Sequence, residues 1–531
     1  MTFDQQGRRL WERFPAPSRW AFFSCLTTGL LVHLYAFTNT IPNSDGLSRV
    51  YDTQQMTISG RWFLHYVSAL NSFTQMPTVI GLLALGFLGL AAGLLASLLG
   101  LESRALAGLS GAVLAAFPCL GYTFLYMFTA SDYCLAIFLA VLAVWLTRRW
   151  RFGWALGAGA LALSMGIYQA YAAVAIGAAL LAVLAQFLHP ESSLSGTVRL
   201  GLRMVLHLAL GAALYYGILL VFLRVKGLEL LSYLGMDAAS SGYPIGQLPR
   251  LVLTAYKQVV AFFFLPGSSN GFTTRGMAAL DLLLLALGAL CLWLRLKNTG
   301  KELWRWLGAL AMLLLLPLGV GFGQLLSPFA APTPLMKYAY VLVILAALML
   351  LQGTEPLSLP QIVRKLLPWA AGVWAAVFLL FCLNTNNLLY TAADQAHRAT
   401  ESYATRLLAR IESCEGYEPG MEIAVVGAVP SSQLQSQTES FRQVRHYSVP
   451  TGTVLTLNKH IYYYFSQWLN TPVKELDEAV MQSISDSSEF QAMPLYPAPG
   501  SVQVMNGRVV VRMAEKYTPK APYEVAYENR R

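Results

Sequence analysis

Apolar runs of spanning or near-spanning length recur along this chain, at about 20–37, 78–100, 105–127, 133–147, 153–168, 171–188, 204–223, 278–295, 304–326, 335–352 and 367–385. The hydrocarbon core of a bilayer takes about 20 apolar residues in helical form, and a helix satisfies its backbone polar groups internally. The runs therefore predict an α-helical polytopic membrane protein of about eleven transmembrane helices. Only 12% of the residues are charged and 56% are hydrophobic, whereas a soluble domain carries about a quarter charged residues. The 153–168 run is short and dense in Gly and Ala, small residues that suit close helix packing.

The net charge of +10 is explained without a nucleic-acid partner, because the basic residues cluster beside apolar runs as the positive-inside bias requires. Arg8, Arg9, Arg13 and Arg19 precede the first run, which exceeds a signal-peptide core and has no A-x-A site after it, so the first helix is expected to stay as an anchor. With a cytoplasmic N-terminus, Arg104, the Arg148–Arg149–Arg151 cluster, Arg199 with Arg203, Arg295 with Lys297, Lys301 and Arg305, and Arg364 with Lys365 all fall on cytoplasmic turns. The opposite face, the periplasm if this is a bacterial inner membrane, then receives the 40–76 loop, the turns at 129–132 and 168–169, a loop at about 225–277, the 327–334 turn and the C-terminal tail. Within the long loop, Leu248–Leu265 carries Arg250 and Lys257 among aliphatics and aromatics and reads as an interfacial amphipathic helix. That helix serves either as a lid or in substrate binding.

From about Asn384 the composition turns soluble. Residues 391–412 read as an amphipathic helix, 421–429 as a buried strand, and 501–514 as a hairpin around Asn506-Gly507. The expected division is a transmembrane catalytic module over 1–385 and a periplasmic α/β domain over 386–531. The Gly-Ala-Val at 427–429 lacks dinucleotide-binding spacing. Five of the six cysteines lie in or beside spans and Cys414 stands alone, which makes no disulfide framework. No C-x-x-C or H-E-x-x-H pattern marks a zinc site. No cofactor is implied, and dependence on a divalent metal stays open.

One polar island stands between the first two apolar runs: Asn43–Trp62 holds Asp45, Arg49, Asp52 and Arg61. Each charge at mid-bilayer costs about 2.5–3.5 kcal/mol, so the stretch belongs at a membrane face. If it is helical from Ser44, positions 45, 49 and 52 share one face. Asp45, Arg49 and Asp52 read either as exposed loop charges with a weak surface pair or as parts of a site that also draws in Arg61, His65, Asp132, Tyr168, Gln169 and Lys257. Asp132 abuts an apolar run and is either functional or a helix-starting residue. Tyr168 and Gln169 either contact substrate or cap and anchor a helix end at the interface.

Three segments resemble, in order, the glucosyltransferase family that includes GtrII-type O-antigen glucosyltransferases. SDGLSRVYDTQQMTISGRW is similar to its first-loop signature through Asp45, Arg49 and Gly60-Arg61. LSMGIYQAYAAVAIG is similar to a second family segment, and MPLYPAPGSVQVMNGRVVVRMA to its closing stretch. The resemblance implies a GT-C architecture with its active site on the outer face, a sugar donor on a polyprenyl phosphate, and inversion at the anomeric carbon. It maps the family's catalytic acid to Asp45 and a second loop acid to Asp132. Ser44 stands where members often carry a second acid, which argues against a paired-acid metal site.

Chemically, a carboxylate takes the proton from the acceptor hydroxyl and cations hold the phosphate leaving group. Asp45 is the expected base and Arg49 and Arg61 the phosphate ligands, the arginine fork matching phosphate oxygens. Asp132 orients the acceptor or shares the base role. The acceptor is an envelope glycan such as O-antigen or a protein such as pilin. A transporter would place ionisable groups inside the spans, and the runs are nearly free of them; a scaffolding subunit would tolerate loss of Asp45.

Overall fold

The structure is a computed structural model that describes residues 14–47, 53–230, 245–267, 272–298, 302–326, 332–352, 361–429 and 458–518, with isolated residues elsewhere. Two compact units emerge. One holds Met1–Asn39 and Tyr51–Asn387; the other holds Thr40–Val50 with most of the chain from Leu388 onward.

Among the described residues, nine helices are long and apolar enough to cross a membrane, and a bent pair, Arg104–Ala116 with Pro118–Phe124, makes a tenth if taken as one span. The remaining expected run forms the helix Gly153–Ile167, whose 15 residues rise only about 22 Å against a core of about 30 Å. The spans are less free of ionisable groups than the sequence suggests: Asp132, Asp281 and Lys337 are all buried within them.

The bent pair shows how a broken helix is made stable in an apolar setting. Phe117 is extended (ψ 127°) and Pro118 opens the second piece, so the Leu114 carbonyl loses its donor and the Ala115 and Ala116 carbonyls lose their geometry. Each finds a side chain from a different helix at 2.8 Å: Tyr338 Oη donates to Leu114, His33 Nε2 to Ala115 and Asn386 Nδ2 to Ala116. A carbonyl only accepts, so His33 carries its hydrogen on Nε2. Leaving one such carbonyl unbonded costs about 1–3 kcal/mol. Asn386→Leu and Tyr338→Phe should each lower the melting temperature of the purified protein; an unchanged value for both would count against this account of the break.

Arg305 is another buried anchor. Its guanidinium donates to the carbonyls of Phe187, His189, Pro190 and Ser192 and to Ser192 Oγ at 2.7–3.1 Å, and its Nε pairs with Glu302. It thereby closes the C-terminal end of the helix Ala172–Leu188, where the last carbonyls lack intrahelical donors.

Instead of a span followed by a separate amphipathic helix, residues Gln361–Glu412 form one helix of 52 residues. The asparagines between the two expected pieces do not break it. Asn386 and Asn387 donate to the carbonyls of Cys382 and Leu383, four residues back, and no Gly or Pro interrupts 373–415.

Among the described residues, the second unit is built on a three-stranded sheet of order β1-β3-β2, with β1 Glu422–Val426, β2 Val502–Met505 and β3 Arg508–Arg512. β1 and β3 run parallel, Glu422 opposite Arg508; β2 and β3 form the antiparallel hairpin. Its turn residues Asn506 and Gly507 have φ of 51° and 75°, the type I′ pattern that Asn-Gly adopts readily. Both faces are covered. Ile423, Val425, Val509 and Val511 pack with Leu407, Ile411, Tyr464 and Phe465, while Ala424, Val426 and Val510 meet Met481 and Phe490. Leu47 also belongs to the first core, which ties the start of the polar island to this unit.

His460 lies buried in the helix Asn458–Gln467. Burial, helped by Lys459, pushes its pKa down to about 4. The folded unit holds this imidazole neutral, so its stability is complete above pH 6.5 and declines as pH falls toward 4, by up to about 3 kcal/mol. His460→Gln should flatten that acid limb in a melting series from pH 7 to 4; an unaltered limb would assign the loss to other groups.

Candidate functional site

The second half of the polar island folds into a locked loop. The helix Thr53–Ile58 ends with Gly60 at φ +78°. Gly60 N–H bonds the Thr57 carbonyl and Arg61 N–H the Met56 carbonyl at 2.9 and 2.8 Å, a Schellman closure that needs glycine at this position. Gln169 Nε2 donates to the Ser59 carbonyl and to Tyr215 Oη, both at 2.9 Å, and Tyr215 Oη donates to the Gly60 carbonyl at 3.0 Å. A Cβ on Gly60 would overlap the Gln169 amide nitrogen and come within 2.7 Å of Tyr215 Oη.

The loop is fixed on its other flank as well. Phe63 N–H bonds the Gly166 carbonyl at 2.8 Å, and a Cβ on Gly166 would sit 2.7 Å from the Trp62 ring. Trp62 stacks on Phe222 at 5.8 Å, and Lys226 Nζ donates to Thr57 Oγ1 at 3.1 Å. Arg61 emerges from this frame half-buried, its guanidinium 4.8 Å from the centre of the Tyr168 ring. Tyr168 in turn lies parallel to Tyr133 at 4.5 Å and edge-on to Tyr171 at 5.4 Å. Arg61 thus lies against one tyrosine ring, and two further tyrosines pack on that ring.

Asp132 is fully buried. It stands in the second turn of the helix Met127–Arg149, which removes the helix-starting role. Its Oδ2 accepts from Ser68 Oγ at 2.7 Å and its Oδ1 from Ser131 Oγ at 3.1 Å, so the carboxylate holds the short helix Leu64–Ser68 in place. His65, on that helix and three residues before Ser68, is half-buried and stacks on Phe73 at 4.9 Å.

Asp45 opens a 3₁₀ turn, Asp45–Leu47, in the second unit. Its backbone N–H bonds Asn43 Oδ1 at 2.8 Å, and its side chain is exposed. Arg49 and Asp52 lie outside the described residues. Lys257 is exposed on the helix Leu248–Phe264, whose buried stripe is Leu251, Ala255, Val259, Phe262 and Phe263. This stripe packs on neighbouring helices of the same unit.

Of the residues singled out in sequence, the structure joins Arg61, Tyr168 and Gln169 in one network and links Asp132 to the helix that carries His65. Of the partners that complete these contacts, Ser68 lies in the first outer loop, and Tyr133, Tyr171 and Tyr215 sit inside apolar runs. Only their hydroxyls and rings distinguish them there.

No curated protein and no solved structure matches the chain. A family model described as Glucosyl transferase GtrII matches residues 34–351, more than half the chain and the whole stretch from Asp45 to Lys257, while the closing stretch at 493–514 lies beyond it. The chain belongs to the GtrII glucosyltransferase family.

Proposed function

We propose that this glucosyltransferase takes its glucosyl group from a polyprenyl-phosphate carrier and places it on an envelope glycan such as O-antigen, working at the periplasmic face of a bacterial inner membrane. Asp45 accepts the proton of the acceptor hydroxyl as that oxygen bonds to the anomeric carbon. The bond from that carbon to the phosphate oxygen breaks on the opposite side, which inverts the centre and releases polyprenyl phosphate. Arg61, with Arg49, takes up the charge that gathers on the phosphate. Asp132 acts as a positioning residue through Ser68, and His65, Asp52, Tyr168, Gln169 and Lys257 line or support the substrate path.

The observation that carries this reading is the construction around Arg61: a glycine closure, a Gln169–Tyr215 lock and a tyrosine face all serve to hold one guanidinium. A cation kept only for topology needs no such frame, and Arg224, exposed at the end of a long helix, has none. Arg61→Ala should lower transfer by about 10²-fold or more, the scale of losing one charge-stabilising donor, while Arg224→Ala leaves it near normal. Equal losses in both variants, at matched expression, would remove the phosphate role. A transporter reading draws on the buried Asp281 and Lys337; it predicts carrier movement by the purified protein with no new glycosidic bond.

A further inference from the structure

The second unit carries an aromatic platform that the transfer chemistry above leaves unused. At the end of the helix Asn458–Gln467, the Trp468 and Leu469 amides bond the Tyr464 carbonyl at 2.9 and 3.3 Å, and Thr471 N–H reaches the Phe465 carbonyl at 2.9 Å. These bonds fix the turn. The Trp468 ring lies parallel to Tyr464 (6.1 Å, 13°) and edge-on to His397 (4.7 Å, 65°). His397 Nδ1 and Tyr464 Oη are 3.3 Å apart, within hydrogen-bond distance. Tyr464 and His397 are buried, whereas Trp468 is only half-buried. Two fixed rings therefore back an indole that keeps part of its surface open.

The neighbouring side chain ties this platform to Asp45. Gln467 Nε2 donates to the Leu47 carbonyl at 3.1 Å, and Leu47 is buried in the same core as Tyr464. Asp45 is two residues from Leu47, a reach of about 7 Å of chain, and Trp468 is adjacent to Gln467. An exposed carboxylate and a backed indole thus share one neighbourhood of the unit.

We infer that Trp468 is the stacking platform for a sugar ring of the acceptor glycan, holding that ring beside Asp45. The C–H groups on a sugar ring's apolar face carry slight positive charge and meet the negative face of the indole, while the hydroxyls at the rim stay free for solvent or the base. This rests on the transfer reading above, in which the acceptor hydroxyl is delivered to Asp45. A tryptophan serving only as an interfacial anchor would not read sugar at all.

The test uses the full-length protein in lipid nanodiscs, with envelope polysaccharide released from cells lacking the gene as the probe and saturation-transfer NMR as the readout. Trp468→Leu keeps apolar volume but has no ring; Trp468→Phe keeps a ring. Binding should weaken about 3- to 10-fold in Trp468→Leu, the scale of one aromatic contact, and recover in Trp468→Phe. The inference falls if the wild-type protein shows no transfer of saturation to the polysaccharide, if Trp468→Leu binds as the wild type does, or if Trp468→Phe fails as badly as Trp468→Leu. Asp45→Asn separates the two readings. Normal glycosylation by that variant, with weakened binding in Trp468→Leu, removes the base and keeps the platform. Lost glycosylation with undiminished binding in Trp468→Leu does the reverse.

Discussion

Replacing Gly60 with alanine should lower sugar transfer by about 100-fold or more while the helical bundle stays folded. The new Cβ meets a positive φ, which costs an L-residue about 1–2 kcal/mol, and it also falls where Gln169 and Tyr215 already sit. One of three hydrogen bonds that pin the loop must then break, with about 1–3 kcal/mol lost for each group left unsatisfied. Arg61 follows Gly60 directly and would leave its place over Tyr168. Gly100 provides the control, since it has φ +64° and open space where its Cβ would be. Gly100→Ala should register the backbone strain alone and leave transfer nearly unchanged. If both variants transfer equally well, the crowding around Gly60 has no part in the activity.

Asp45→Asn should reduce transfer by about 10²–10⁴-fold, the range spanned by general-base contributions, with little change in folding. The side chain is exposed, and the turn it opens is anchored through its backbone, where Asp45 N–H bonds Asn43 Oδ1 and the Leu47 carbonyl accepts from Gln467 Nε2. Asparagine keeps the size of the residue and one acceptor oxygen while removing its charge and basicity. Full glycosylation by this variant, at wild-type expression, would eliminate the base assignment and favour a structural role for the segment.

Much of the fold is legible in the chain because its strongest signals are local. Runs of apolar residues find their helices, and Asn506-Gly507 between alternating valines finds its hairpin. What escapes is non-local. The polar island reads as one loop, yet Leu47 is buried in a core formed from Tyr403 onward, and Gln467, 420 residues away, bonds its carbonyl. As a result Asp45 and Arg61, close in sequence, belong to different units.

The candidate site divides along the same line. The Gly60-Arg61 pair and Tyr168-Gln169 are visible as short motifs, but nothing local says that Gln169 fills the space a side chain at 60 would take. Asp132 follows Ser131 in a pattern that suggests a helix start, whereas the helix already begins at Met127 and the carboxylate serves Ser68. Polar residues within apolar runs, such as His33 and Tyr338, or just past one, such as Asn386, are explained only once the break before Pro118 exposes carbonyls for them.

The most direct test of the account supplies the purified protein in liposomes with polyprenyl-phosphate glucose labelled in the sugar and with envelope polysaccharide from cells lacking the gene. Label is expected in the polysaccharide, with one polyprenyl phosphate released per sugar transferred and both products strongly reduced in Arg61→Ala. Transfer from a nucleotide sugar alone, or carrier moved across the bilayer with no label in glycan, would contradict it.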